Sequence, residues 1–336
     1  MTIKHLVLSG GGPTGLITYG AISHLAKKGF WHLKDIESIY GCSIGGYMGV
    51  FCTMGYNWEW LDDYFIKRPW EKLAASSAIS LMNVYEEKGL VNEHFFTDSI
   101  IPLLHAKDLS EHITLAEFYA YNKIDIHLYA TNINGDILEK VDISHSTHPN
   151  LSLIKALRMT MAFPVIFQPI YEDGGCYIDG GLLNNFPLND CINRMHSDPE
   201  DNNKEHRNKE HRNEILAFKN IWTTTKQCIS EKSTILDFLL IIMKKIQATL
   251  DGEFNQEEIT NTVRCIIDDL NTFDKWFKAL SNEEMRKKIV ESGYKHADVF
   301  LDSLLCTATE NAVDINAIDN ANAVDNAVDK ALTEID

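Results

Sequence analysis

No Cys-x-x-Cys pair occurs among the seven cysteines, which stand apart at positions 42, 52, 176, 191, 228, 265 and 306. That spacing supports neither a zinc knuckle nor a redox motif, and the scattered, odd-numbered set reads as buried free thiols. Basic residues are scarce, with 31 Lys and Arg against 48 Asp and Glu and a net charge of −17. This balance disfavours a nucleic-acid partner, which wants a basic surface, and disfavours tight electrostatic attachment to an anionic membrane. Long apolar runs are lacking too: the longest, Ile235 to Met243, contains Asp237 and falls far short of a membrane span. The start of the chain does not have the basic-then-apolar form of a signal peptide, because Lys4 and His5 interrupt the apolar residues at once. A cytoplasmic location, without secretion and with at most peripheral contact with membranes, is the expectation.

What the chain does have is glycine at three places beside residues that can do chemistry. Gly41-Cys42-Ser43-Ile44-Gly45-Gly46 follows a strand-like run from Ile36 to Tyr40 and precedes a helix-like one from Ile44 to Met54. This is the form of a nucleophile elbow, in which Gly41 and Gly45 let strand and helix approach closely and Ser43 is held on a sharp turn with its hydroxyl exposed. Cys42 beside it reads as packed, since the central residue of an elbow is the exposed one. Upstream, the apolar strand His5 to Ser9 runs into Gly10-Gly11-Gly12-Pro13-Thr14-Gly15 and then an amphipathic stretch from Leu16 to Lys28. A glycine run between strand and helix leaves N–H groups free to converge on an anion, helped by the positive end of the helix dipole. Downstream, Tyr177-Ile178-Asp179-Gly180-Gly181 puts a carboxylate at the end of a short apolar run.

Together, in that order, these segments resemble the patatin-like phospholipase family, whose members carry a Gly-rich oxyanion loop, a G-x-S-x-G serine and a D-G-G or D-G-A aspartate. Ala156 to Pro164, continuing to Phe167 and Pro169, is similar to the family's helix and proline-containing bend, and Asn185-Phe186-Pro187 to the N-x-P that follows the aspartate. The likeness covers residues 3 to 190, with a weaker echo to about residue 302. It implies an α/β fold, a three-layer α/β/α sandwich with a mainly parallel central sheet and the dyad at strand ends. It implies a lipid acyl hydrolase cleaving carboxylic esters of phospholipids or related lipids, with Ser43 as nucleophile, Asp179 as its base, and Gly10, Gly11 and Gly12 as oxyanion donors. Gly15, Gly41, Gly45, Gly180 and Gly181 would support these motifs. No cofactor and no metal is required, and the implied partners are a lipid ester substrate and a transient membrane or lipid-aggregate surface.

A second Asp-Gly-Gly, Asp173-Gly174-Gly175, competes for the role of base. Its spacing between two short apolar runs reads as a hairpin turn, so Asp179 is preferred. Many family members have a basic residue where Thr14 stands, so ester hydrolysis is better supported than a phospholipid preference. Two other function classes remain as alternatives. Gly10-x-Gly12-x-x-Gly15 satisfies a dinucleotide fingerprint, with Asp35 or Glu37 about twenty residues on as a ribose-binding acid, which would make a nicotinamide or flavin enzyme. A non-catalytic scaffold of the same fold is the other; intact Ser43, Asp179 and glycines argue against it.

The remaining organisation follows periodicity. Trp58 to Phe65 reads as a helix, Thr114-Leu115-Ala116-Glu117 as a capping box, and Ile124 to Ala130 as a strand joined by the Asn134-Gly135 turn to Ile137 to Ile143. Tyr56, Trp58, Trp60, Phe65 and Trp70 are candidates for an acyl-chain entrance, though their spacing reads first as core. His145-Ser146-Thr147-His148 reads as a surface loop rather than a metal site. Residues 197–213 form a polar insertion that duplicates Lys-Glu-His-Arg-Asn, Glu214 to Phe218 a strand, 232–250 an apolar helix expected to pack on the catalytic domain, and 232–306 a helical C-terminal part. One domain over 3–306 with its core in 3–190 is expected, followed by an acidic low-complexity tail at 307–336. Loops between 67 and 112 and between 232 and 260 are expected to shape the pocket. Nothing in the sequence fixes an oligomeric state.

Overall fold

The computed structural model describes residues 2–79, 81–195, 211–223, 229–231, 233–253, 258–267 and 273–306. Ten strands lie among them: β1 (His5–Leu8), β2 (Ser38–Cys42), β3 (Gly89–Val91), β4 (Asp125–Asn132), β5 (Glu139–Ile143), β6 (Val165–Phe167), β7 (Ile170–Glu172), β8 (Gly175–Asp179), β9 (Ile215–Trp222) and β10 (Thr262–Ile267). Five of them, in the order β10-β9-β1-β2-β4, form a parallel sheet, and β5, β8 and β7 extend it in antiparallel fashion. The strands are short and rich in β-branched and aromatic residues, and those of the centre are buried on both faces, as a parallel sheet under helices requires. β3 and β6 make a separate two-stranded pair.

Alternation along each strand divides the core in two. Leu6, Leu8 and Ile39 face the larger cluster, built with helices Gly15–Lys27, Ile44–Thr53, Trp58–Lys67, His94–His105 and Leu153–Met161 and with the helix at 283–306. Val7, Tyr40, Tyr129 and Ala217 face a smaller cluster closed by Phe186 and by Leu188, Cys191 and Ile192 of helix Leu188–Met195. The result is the α/β/α sandwich, with one thick helical layer and one thin one. Each fully buried Phe or Leu contributes roughly 1.5–3 kcal/mol, so Phe51, Phe65 and Phe218, all enclosed, are principal anchors.

The register of β4 explains how the two ends of the site meet. β2 pairs with β4 from Ser38↔Asp125 to Cys42↔Tyr129, and β8 takes over with Asp179↔Ala130. Leu128 and Ala130 both pair with β5 as well, at Ile143 and Val141, so β5 holds the opposite edge and β2 and β8 share one. β8 therefore ends where β2 ends, and the last residue of β8 faces the residue after β2.

Several boundaries differ from the sequence reading. The segment 67–112, expected as pocket-shaping loops, is mostly helical: Trp70–Ser76, Leu81–Glu87 and His94–His105, with β3 between the last two. Phe96, Ile100, Leu103 and Leu104 bury one face of the last helix, and Pro102 sits within it. β9 pairs with β1 one strand in from the β10 edge, so the sheet continues past residue 190. β10, an edge strand on β9, was not anticipated; its alternation of buried Val263, Cys265 and Ile267 is over a segment too short to stand out. The capping box at Thr114 and Glu117 and the hairpin between β4 and β5 are present. Residues 196–210, which hold most of the insertion expected at 197–213, and the tail at 307–336 lie outside the described residues, while 211–213 form a helical turn whose His211 carbonyl accepts from the Glu214 N–H at 2.9 Å.

Candidate active site

Ser43 occupies the turn between β2 and helix Ile44–Thr53 with φ 52° and ψ −129°. A side chain other than glycine held there stores roughly 1–3 kcal/mol of backbone strain. The turn is held from three sides. The Ser43 N–H donates to Thr160 Oγ1 at 2.9 Å, and Thr160 in turn donates to the Tyr129 carbonyl at 2.6 Å, tying the elbow to β4. Gly45 lies directly against the end of β1, where a Cβ would come within 2.5 Å of the Leu8 carbonyl. Asp179 closes the third side: the Ser43 hydroxyl donates to its Oδ2 at 2.5 Å.

Asp179 is buried, 3% exposed, and its other oxygen accepts from the Gly181 N–H at 2.7 Å, which orients the carboxylate. Burial pushes its pKa up from the usual carboxylate range to about 6, against the lowering effect of the bonds from Ser43, Gly181 and the more distant Cys42 thiol. At neutral pH the group is ionised yet basic enough to take a proton. Cys42 is fully buried, its Sγ 3.9 Å from Asp179 Oδ1. Asp173, the rival, sits at the tip of the β7–β8 hairpin with φ 46° next to Gly174 at φ 80°, exposed and in the backbone geometry of a two-residue turn.

The glycine loop leaves β1 beside this pair. A Cβ on Gly10 would approach the Ser43 Cβ to 3.1 Å, so the loop passes directly over the serine. Gly12 has φ 60°, and a Cβ there would meet the Trp276 ring at 3.0 Å. Gly10 needs a correction as an anion donor: its N–H already donates to the Asn185 carbonyl at 3.0 Å. A backbone N–H committed to a carbonyl cannot also hold a developing charge at full strength. The N–H groups of Gly11 and Gly12 make no hydrogen bond among the described residues, and they stand at the start of a 3-10 turn, Gly12–Thr14, that leads into helix Gly15–Lys27.

Asn220 on β9 does more for this loop than any neighbour in sequence. Its side-chain N–H groups donate to the Gly10 carbonyl at 3.0 Å and to Thr14 Oγ1 at 3.1 Å, its Oδ1 accepts from Thr18 at 3.3 Å, and its backbone N–H donates to Ser9 Oγ at 2.9 Å. Thr14 is wholly buried and also donates to the Gly11 carbonyl. Asn220 carried no signal in the sequence, and Thr160 lay in the segment from Ala156 to Pro164 without its bond to the elbow being readable there.

Ser43, Asp179 and the loop open on a cavity of about 520 Å³. Its wall is overwhelmingly apolar and includes Phe65, Trp70, Phe163 and Met48, so two of the aromatics read as an acyl-chain entrance are both core and lining. Trp60 instead faces outward, stacked on Tyr56 and Tyr64. Helix Ile235–Glu253 covers one side with Leu240, Met243, Lys244 and Gln247. The dinucleotide reading fails on geometry. β1 and β2 run parallel in register, so Asp35 and Glu37, which precede β2, lie at the opposite end of the sheet from the glycine loop, where Glu37 instead lies 3.7 Å from Lys4. His145 lies away from the site, bonded to Asp125 and stacked on Tyr119.

A serine on a strained strand-to-helix turn, beside a glycine loop and a buried carboxylate, defines a hydrolase-type elbow on an α/β sheet. The family model described as patatin-like phospholipase matches residues 6–192, more than half of the chain, and the protein belongs to that family. It is 26% identical over 189 residues to an uncharacterized protein of Acanthamoeba polyphaga mimivirus, covering 55% of this chain and 60% of that one. It is 28% identical over 234 residues to a probable lipid hydrolase of Invertebrate iridescent virus 6, covering 68% of this chain and 73% of that one. The crystal structure of VipD from Legionella pneumophila shares the fold, with a TM-score of 0.51 at 18% identity over 90% of this chain and 67% of VipD.

Proposed function

We propose that this protein is a lipid acyl hydrolase that cleaves carboxylic esters through a Ser43–Asp179 dyad. The observation that carries the proposal is the 2.5 Å hydrogen bond from Ser43 to Asp179 at the floor of an apolar cavity, on an elbow with positive φ. Family membership and the similarity to a probable lipid hydrolase support a lipid as the substrate.

In the first half-reaction Ser43 Oγ attacks the acyl carbonyl carbon while its proton passes to Asp179 Oδ2. The carbonyl oxygen becomes an oxyanion facing the Gly11 and Gly12 N–H groups and the positive end of the helix behind them; each such donor is worth roughly 2.7–4 kcal/mol in comparable sites. As the tetrahedral species collapses, the bond to the alcohol breaks and Asp179 returns its proton to the leaving oxygen. Water then attacks the acyl-serine with Asp179 again as base, releasing the fatty acid and restoring the Ser43 hydroxyl. The apolar cavity accepts the acyl chain and excludes water from the dyad, which strengthens each of these charge interactions.

Contact with a lipid aggregate would use helix Ile235–Glu253. Leu240, Met243 and Gln247 line the cavity, while Ile235, Phe238, Ile242 and Ile246 lie exposed along the helix at spacings of three and four. An apolar contact of this kind suits a protein whose net charge of −17 opposes electrostatic attachment. No helix among the described residues is long and apolar enough to cross a membrane. Residues 3–306 are assigned to one hydrolase domain, with 307–336 as a tail outside it.

The test is hydrolysis of a short-chain chromogenic ester and of phosphatidylcholine by wild type, Ser43→Ala and Asp179→Asn. Both substitutions are expected to remove activity on both substrates; full activity in Ser43→Ala would sink the mechanism.

A further inference from the structure

Among the described residues, three charged ones line the catalytic cavity, and two of them are committed. Asp179 is held by Ser43 and Gly181. Arg286 spends its guanidinium on three backbone carbonyls, those of Ile66, Leu280 and Arg68, and so clamps the segment before the helix at 283–306 to the end of helix Trp58–Lys67. Lys244 is different. Its Nζ is shut off from solvent and makes no hydrogen bond among the described residues; what faces it is the ring of Trp222, with the centroid 3.6 Å away.

An ammonium group is costly to take out of water without a hydrogen-bonding or anionic partner, and a cation–π contact returns only part of that cost. Burial accordingly pulls the Lys244 pKa down to about 8, which still leaves the charged form predominant at neutral pH. Its placement is as specific as its lack of a partner. Lys244 lies one helical turn from Leu240 and three residues from Gln247, on the face of helix Ile235–Glu253 that lines the cavity. Trp222 ends β9, the strand that neighbours β1 and carries Asn220 beneath the glycine loop. The cation therefore stands over the same edge of the sheet as Ser43. The loop itself offers no positive charge, because Thr14 is neutral and buried against Asn220.

We infer that Lys244 is the head-group reader of this site, pairing with the phosphate of a phospholipid whose ester carbonyl lies at Ser43. The inference rests on the lipid acyl hydrolase reading above and gives it a substrate class: phosphate-bearing glycerolipids over their neutral counterparts. A phosphate oxygen would supply the hydrogen-bonding partner that Lys244 lacks, in a water-poor cavity where a charge-assisted bond is strong.

The experiment compares kcat/KM for dioctanoyl phosphatidylglycerol and dioctanoylglycerol, matched in acyl chains, in non-ionic detergent micelles. Wild type, Lys244→Met, Lys244→Arg and Ser43→Ala are measured. The ratio of phospholipid to diacylglycerol activity is expected to fall about tenfold or more in Lys244→Met and to be largely kept in Lys244→Arg. An unchanged ratio in Lys244→Met overturns the inference, as does an equal loss of the ratio in Lys244→Arg, which would assign the residue to packing on Trp222. Activity that survives in Ser43→Ala instead overturns the underlying dyad, whatever the ratio does. Should Lys244→Met fail to fold, wild type alone suffices. Glycerol 3-phosphate is expected to compete with a neutral short-chain ester, and no inhibition at concentrations well above those of the substrate contradicts the assignment.

Discussion

Thr160 Oγ1 accepts from the Ser43 backbone N–H and donates to the Tyr129 carbonyl, so one hydroxyl joins the strained elbow to the neighbouring strand from 117 positions away. All three groups are buried. Thr160→Val keeps the shape and removes both bonds, which leaves a buried N–H and a buried carbonyl without a partner at a cost of about 1–3 kcal/mol each. Thermal unfolding is expected to show a loss of roughly 2–6 kcal/mol. Ester hydrolysis should fall more than the loss of folded protein explains, because the elbow relaxes; unchanged kcat in the folded variant would show that the tether serves stability alone.

The pH profile follows from the buried carboxylate. Asp179 must be ionised to take the Ser43 proton, and burial sets its pKa near 6. Hydrolysis is expected to rise from pH 5 to a plateau above pH 7, with the inflection in kcat/KM near 6. An inflection near 4 would mean that Asp179 is hydrated in solution.

The same shift acts on stability with a definite sign. The folded pKa of Asp179, about 6, lies above the ordinary value of 3.8, so the unfolded chain gives up the proton more readily and ionisation costs stability as pH rises from about 4 to about 6. Asp179→Asn removes that cost, on the order of 2–3 kcal/mol. The variant is expected to melt above wild type at pH 8, with the gap closing towards pH 4. A gap that does not vary with pH would contradict the burial of the charge.

A second titrating cluster surrounds His127, whose contribution is also lost as pH rises, while that of its partner Asp125 is lost as pH falls. The His127 ring, buried on β4 and stacked on Tyr40, places Nδ1 2.8 Å from Asp142 Oδ1 and Nε2 3.1 Å from Asp125 Oδ2, the latter an ion-pair distance with poor hydrogen-bond alignment. Burial disfavours the charged ring, but the bonds and charges of Asp125 and Asp142 outweigh it and raise the pKa above 6.5. The Asp125 pKa is lowered, burial again opposing and His127, His145 and Arg194 prevailing. The His127 contribution is therefore complete below pH 6.5 and is lost as pH rises through the folded value, whereas that of Asp125 is lost as the solution becomes acid. His127→Gln is expected to destabilise most near pH 5.5 and least near pH 9, read from denaturant midpoints; a loss that is constant across that range would make the ring a packing element only.

Gly12→Ala tests the loop. The new methyl group needs φ 60° and meets the Trp276 ring at 3.0 Å, so the loop must shift. Hydrolysis is expected to drop about 10²–10³-fold, as when one oxyanion donor is lost. Loss of less than about threefold would place the oxyanion elsewhere.

Legibility in the sequence followed the range of each constraint. Gly12, Ser43 and Gly45 answer to local backbone demands, a positive φ or a close approach, and such demands leave glycines at fixed offsets from the residue they serve. The turn at Asp173-Gly174 was readable for the same reason. Asn220 was not, since it serves Gly10 across 210 positions and sits on a strand whose pattern looks like any other. The engagement of the Gly10 N–H by the Asn185 carbonyl is equally hidden, because a backbone contact across 175 positions leaves no mark on the Asn185-Phe186-Pro187 motif. In the segment 67–112 short helices were missed because Trp70–Ser76 and Leu81–Glu87 each run only seven residues, too few for periodicity to separate from loop. Helix Ile235–Glu253 was found as a helix, but its division into a cavity face and an exposed apolar face depends on where the sheet places it.

The dyad is tested most directly by the rate at which a fluorophosphonate, which reacts preferentially with activated serines, labels the protein, read by intact mass and peptide mapping. The single adduct is expected on Ser43, absent in Ser43→Ala and slowed at least about 10²-fold in Asp179→Asn, the lower end of what a positioned base supplies. An adduct on another residue, or labelling of Ser43 at the wild-type rate in Asp179→Asn, would contradict the Ser43–Asp179 pair.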